Sequence, residues 1–274
     1  MPPVEIDGNP ITGATIDGQD VQEITVDGDV VFSAQQLPVA YSNLVAWYPF
    51  DSAEYGGSNA DDVTAIIGGS GDDTAYHGSF DSTATTPSYQ SSGGRTDINV
   101  GANSGAYDFD GNDHIKTNLS QGGLSEVSIS AWIKQDTAND DRYRNILAGV
   151  GFFQGLWIWR SGTGSGISMS YLTGSTSVRS TNNFTEQVGV WRHVVGITDK
   201  TQSGTRVFVD NVELSNNFSI DTNPEPDENY YIGAAFLDNQ TINKFDGVIE
   251  DVRVYNKTLS ASEVNQIYQN TDPN

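Results

Sequence analysis

Cysteine is absent from this chain of 274 residues, which removes disulfides, thiolate metal sites and a cysteine nucleophile. Lysine is scarce: five positions (116, 134, 200, 244, 257) within a basic total of 13, set against 36 acidic residues and a net charge of −23. Such a chain is repelled by nucleic-acid phosphates, whose neutralisation by Lys and Arg dominates that kind of binding, and by anionic membrane surfaces. No apolar run approaches the ~20 residues of a membrane span. The opening Met-Pro-Pro-Val-Glu-Ile-Asp has neither a basic n-region nor an apolar h-region, so it does not read as a secretory signal.

Catalytic patterns are missing too. The histidines, His77, His114 and His193, stand in no metal-ligand spacing, and no Gly-x-Ser-x-Gly elbow is present. His193 shares a strand face with Trp191, Val195 and Ile197 and reads as structural. Glycosidases need two carboxylates on one face about 5–9 Å apart, and no Glu-x-Asp-x-Glu run supplies them. Glu250 and Asp251 are adjacent, so strand alternation predicts opposite faces for them. The chain is expected not to be an enzyme.

What is present is turn chemistry. There are 29 glycines, with abundant Asn, Ser and Thr between short β-branched runs, a pattern of many strands joined by turns. Ile6-Asp7-Gly8, Ile16-Asp17-Gly18 and Val26-Asp27-Gly28 repeat every ten residues, and Asp-Gly suits type I′ hairpin turns. Residues 1–34 are therefore expected to form a small β-hairpin module. Hairpins of this size bury too little to stand alone, so the module is expected to dock on other subunits or on further copies of itself. Residues 35–43, with Pro38, read as a linker, and 44–270 as the main domain. Residues 53–104 lack periodicity and read as a long loop insertion.

Phe245-Asp-Gly-Val-Ile-Glu-Asp-Val-Arg-Val-Tyr255 followed by Leu259-Ser-Ala-Ser-Glu-Val264 joins a strand to a short helix. Ser260 and Glu263 make a capping box there, and Leu259 with Val264 a hydrophobic staple. This run resembles the closing strand and helix of the LamG-like jelly rolls of the concanavalin A-like lectin and glucanase superfamily. Leu44-Val-Ala-Trp-Tyr-Pro-Phe-Asp51 resembles the family's opening strand, and Gly105-Ala-Tyr-Asp-Phe-Asp-Gly-Asn-Asp-His-Ile-Lys116 its next strand and turn. Val127–Lys134, Trp191–Thr198, Arg206–Leu214 and Tyr230–Gly233 follow in the family's order. The resemblance implies an all-β, two-sheet antiparallel jelly-roll sandwich with a short C-terminal helix. It fixes no function, since the superfamily hosts lectins, adhesion modules, glycosidases and spacers.

Three functional expectations follow. In Leu156-Trp-Ile-Trp-Arg160, alternation sends Trp157 and Trp159 to one face. With the aliphatic face inside, they would form a glycan platform with Arg160 and Tyr143; otherwise the indoles pack in the core or a subunit contact. Calcium, which takes six to eight oxygens, has candidates in the acidic turns at Asp51, Asp72, Asp73, Asp110, Asp246 and Asp251, although Asp at a turn also bonds its own backbone. Asp72-Asp-Thr-Ala-Tyr-His-Gly78 resembles an acidic turn of the family, with its Ser-Gly-Asn centre replaced.

The acidic, lysine-poor composition matches adaptation to molar salt, where charges are screened within about 3 Å; an ordinary acidic secreted protein is the alternative. The N-terminal repeat resembles β-modules on structural proteins of tailed viruses of halophilic archaea. The expected role is an outward-facing virion component, a homo-oligomer binding host-surface glycan or glycoprotein. A cell-surface or extracellular location, and an architectural subunit without a ligand, stand as alternatives.

Overall fold

A computed structural model describes six short strands between residues 5 and 33. Beyond them it covers residues 43–48, 50, 59–60, 78–79, 86–90, 105–120, 124, 126–137, 143–149, 155–161, 164–173, 176–183, 187–199, 205–214, 217–221, 229–237 and 240–271. The chain divides into two compact units, Met1–Pro38 and Val39–Asn274.

In the first unit β1 (Glu5–Ile6) pairs with β2 (Asn9–Pro10), β3 (Thr15–Ile16) with β4 (Gln19–Asp20), and β5 (Glu23–Val26) with β6 (Asp29–Ser33). Each pair flanks one copy of the Asp-Gly repeat, and each is a separate two-stranded sheet. Val26 lies opposite Asp29, which leaves the two residues a tight hairpin loop requires.

The second unit continues with β7 (Leu44–Tyr48), β8 (Asn59–Ala60), β9 (Gly78–Ser79), β10 (Ser88–Gln90), β11 (Ala106–Asp110), β12 (Ile115–Ser120) and β13 (Val127–Gln135). Then come β14 (Arg144–Ala148), β15 (Gly155–Ser161), β16 (Gly164–Thr173), β17 (Thr176–Asn183), β18 (Trp191–Thr198), β19 (Arg206–Val209) and β20 (Val212–Glu213). The chain closes with β21 (Asn217–Asp221), β22 (Asn229–Ile232), β23 (Ala235–Leu237), β24 (Gln240–Ile242), β25 (Asp246–Tyr255) and helix α1 (Ala261–Thr271).

Among the described residues, one antiparallel sheet runs β10-β11-β25-β13-β18-β19-β20, with β7 also on β25, and the other runs β21-β17-β16-β15-β14-β22-β12-β9-β8. Alternation in β13 shows why they stack. Val127, Ile129, Ala131 and Ile133 enter the core, where they join Ile146, Leu147, Leu156, Ile158, Ile167 and Met169 of the facing sheet. The chain is a mostly β jelly-roll sandwich, with α1 the one α-helix among the described residues.

The polar alternates of β13 hold α1 against the outer side of the first sheet. Ser128 Oγ donates to Lys257 O at 2.6 Å and accepts from the Leu259 amide at 3.1 Å. The capping box forms as expected: the Ser260 amide donates to Glu263 at 2.8 Å and the Glu263 amide to Ser260 Oγ at 3.3 Å. Leu259, Val264 and Ile267 are fully buried, each contributing about 1.5–3 kcal/mol by removal from water. Tyr268 stacks on Trp132 at 5.7 Å, and His193 packs against both rings while bonding Ser130 Oγ at 2.9 Å.

One local expectation is overturned. Ser130 pairs with Arg253 but Trp132 pairs with Glu250, so β25 carries an extra residue in a β-bulge, and Asp251 there has φ 51°. Ile249 and Val252 both reach the core, which leaves Glu250 and Asp251 together on the outer side rather than on opposite faces. Both are buried, so the shared face still offers no open carboxylate pair.

Candidate functional site

The strand ends Asp110 and Asp246 pair across β11 and β25. Beside them opens a cleft of about 500 Å³ lined by Asp110, Gly111, Asn112, Thr241, Ile242, Asn243, Lys244 and Asp246. Its floor is a self-bonded turn. The Asn112 amide donates to Asp110 Oδ1 at 2.8 Å and the Asp110 amide to Asp113 Oδ2 at 3.0 Å, while Lys244 Nζ ties the turn to the far wall by donating to Asn112 O at 2.6 Å. Gly111, at φ 84°, provides the left-handed conformation that closes this turn.

Strand β14 begins at the cleft's edge. Arg144 donates to Thr137 O at 2.6 Å and to Thr137 Oγ1 at 2.7 Å, and lies 4.0 Å from Asp246 Oδ2. Thr137 in turn donates to Asp246 Oδ2 at 2.5 Å. The Asn145 amide and side chain both donate to Asn243 O, at 2.9 and 3.3 Å. Tyr143, just before Arg144, is 38 % exposed and sets its ring edge-on to Trp157 at 5.4 Å.

Charge is concentrated here. Burial pushes the Asp113 carboxyl above its ordinary range; Asp110 adds to this through its charge and a side-chain hydrogen bond, against the Asp110 amide and Lys244. Asp108 is also raised, first by burial, then by Asp136, with Lys134 opposing and Asp246 and Asp110 adding.

The expected residues fare differently. Leu156 and Ile158 face the core, so Trp157 projects from the opposite face, but it is only 1 % exposed and its Nε1 donates to Ser170 Oγ at 3.1 Å. An open Trp157 platform is thereby corrected: the indole supports Tyr143 from behind. The side chains of Trp159 and Arg160 lie outside the described residues, as do Asp51, Asp72 and Asp73.

Of the other calcium candidates, Asp110 and Asp246 adjoin, whereas Asp251 lies farther along β25. Asp251 accepts from Trp47 Nε1 at 2.6 Å and from Arg253 Nε at 2.9 Å, and the guanidinium lies over the Trp47 ring at 4.6 Å. A guanidinium thus supplies positive charge beside Asp251. Among the described residues no three His, Asp or Glu side chains stand together, and the ammonium of Lys244 already ties the turn beside Asp110.

Asp113, Thr241 and Asn243 were missed in the sequence. Asp113 follows Asp110 at turn spacing, a signal that was available; Thr241 and Asn243 reach the cleft only through the return of the chain after β22.

The chain is similar to solved structures. Trypanosoma rangeli sialidase matches with a TM-score of 0.51 at 13 % identity over 90 % of this chain and 35 % of that one. Domain 4 of an extracellular arabinanase from Geobacillus stearothermophilus, solved with arabinotriose, gives 0.45 at 18 % over 83 % of this chain and 98 % of the domain. The botulinum neurotoxin type G receptor binding domain gives 0.47 at 13 % over 83 % and 51 %. The chain thus spans about a third of the sialidase and half of the toxin domain. At these identities the sialidase likeness speaks for fold. Curated proteins give no match. A family model described as the concanavalin A-like lectin/glucanases superfamily matches residues 109–265, from the end of β11 into α1 and more than half of the sequence, and the chain belongs to that superfamily.

Proposed function

We propose that this protein is a non-enzymatic recognition module, borne outward on a virion or comparable surface assembly, whose sandwich binds host-surface glycan or glycoprotein. The observation that carries this reading is the rim cleft. Carboxylates, amides and a hydroxyl from Asp110, Asn112, Thr241, Asn243 and Asp246 converge on about 500 Å³, a volume within the range of small-ligand sites, and the exposed Tyr143, next in the chain to Arg144, supplies the aromatic face of this reading. Sugars are held by such mixed donors and acceptors together with an aromatic face. Residues 1–34 would fix the module to other subunits and to further copies of itself, and multiple copies raise weak sugar affinity by avidity.

An architectural subunit without a ligand is the second reading, and the burial of Trp157 favours it, because the largest aromatic on that face is committed to packing. Glycan-array and whole-cell binding with the oligomeric protein separates the two. Recognition requires signal that falls at least tenfold in Thr241→Ala with Tyr143→Ala; a blank array with an intact, folded oligomer leaves the architectural role.

A further inference from the structure

We infer that the rim cleft selects neutral, hydroxyl-rich glycans and turns away sugars that carry a carboxylate; this rests on the recognition reading above and narrows its ligand class. The charges around the cleft decide it. Asp110 and Asp246 line the cleft itself. Behind them, Asp113 holds the Asp110 amide, and the Asp136 amide donates to Asp246 O at 3.2 Å, which brings a further acidic residue to the same rim. Asp108 stands near enough to feel Asp136, Asp246 and Asp110.

The neighbouring cations are engaged. Lys244 Nζ is on Asn112 O, Arg144 is on Thr137 O and Oγ1, and Lys134 Nζ lies 5.1 Å over the Trp191 ring. Lys244 lines the cleft and keeps its charge while bonded to a neutral carbonyl, but Lys134, Lys244 and Arg144 are outnumbered by Asp108, Asp110, Asp113, Asp136 and Asp246, so a sugar carboxylate entering here would meet a net negative rim. Such contacts lie inside the ~8 Å screening length of physiological salt. A neutral sugar meets the opposite situation, because its hydroxyls donate to Asp110 and Asp246 in charge-assisted bonds.

The test is an array, read at physiological and at molar salt, in which each neutral oligosaccharide is matched with a sialylated or uronate-bearing counterpart, 3′-galactosyllactose against 3′-sialyllactose being one such pair. The expected result is binding to neutral members at least tenfold tighter than to their acidic partners. In Asp110→Asn with Asp246→Asn, which keeps side-chain size and an acceptor oxygen, that discrimination should shrink to less than threefold. Acidic glycans bound as well as or better than neutral ones would overturn the inference and leave recognition standing. Discrimination unchanged in the double variant would also overturn it. No binding to any glycan would overturn both.

Discussion

The Trp157 indole donates its Nε1 hydrogen to Ser170 Oγ at 3.1 Å, diagonally across β15 and β16, on the side of the sheet away from the core. An outward-facing tryptophan is thus a packed one, with Tyr143 as its exposed neighbour. Trp157→Ala is therefore expected to cost about 3–5 kcal/mol of stability. Tyr143→Ala should cost less than about 1 kcal/mol while weakening any glycan binding. Urea midpoints of the two variants check this; a wild-type midpoint for Trp157→Ala would contradict the packing role.

Asp251 and Arg253 form a buried pair on a bulged strand, and the guanidinium stays charged because burial, which opposes it, is outweighed by Asp251 and Tyr255. Removing one partner leaves the other charge uncompensated. Asp251→Asn tolerates the same positive φ and should cost about 3 kcal/mol, whereas adding Arg253→Met should recover much of that loss. A double-mutant cycle in urea measures the coupling, and additive costs would show that the pair does not hold the bulge.

These sites mark how far the sequence could be read. Capping box, staple and strand order were legible because each depends on neighbours in the chain: Ser260 meets Glu263, and Val127, Ile129, Ala131 and Ile133 alternate as written. The bulge was not legible, because period-two counting assigns Glu250 and Asp251 to opposite faces and only the register against Ser130 and Trp132 reveals the extra residue. The cover over Trp157 was hidden for a related reason, since Ser170 comes from the neighbouring strand β16 and Tyr143 from the residue before β14. Likewise the cleft unites residue 110 with residues 241–246, a pairing that local pattern does not encode.

The Asp113 carboxyl has its folded pKa raised above the ordinary 3.8, by burial first and then by Asp110. A raised acid favours the protonated folded state, so its contribution is unfavourable at neutral pH and is relieved as pH falls through the folded value toward 3.8. Glu263 has the opposite sign. Burial alone would raise it, but Lys257 and both Ser260 donors outweigh burial and lower it below 4.5, so its stabilisation is present above 4.5 and lost as pH drops through the folded value. Asp113→Asn should raise the melting temperature at pH 7 and remove the relief on acidification. Thermal melts from pH 3 to 7 read both effects, and a lower melting temperature at pH 7 would show that the carboxylate itself is required.

A net charge of −23 sets up self-repulsion that dilute buffer leaves unscreened, since the Debye length grows from about 3 Å at 1 M to about 10 Å at 0.1 M. The proposed high-salt setting therefore predicts a melting temperature that climbs steadily from 0.1 to 2 M KCl. Sodium chloride should act alike, because screening depends on ionic strength. A melting temperature flat across this range would point instead to an ordinary acidic protein.

The three hairpins of β1–β6 are each two-stranded sheets, and an isolated hairpin is marginal in water at best. Their stability has to come from surfaces beyond each pair, and in the proposed assembly further copies of the same module provide them. Deleting residues 1–34 should convert an oligomer to a monomer in light scattering while leaving the sandwich's unfolding midpoint within about 1 kcal/mol of the parent, because Val39–Asn274 is a compact unit by itself. Glycan signal on an array should then drop by the avidity factor, about 10²-fold or more, although affinity per site is retained. A deletion variant with unchanged oligomeric state would remove the anchoring role from this segment.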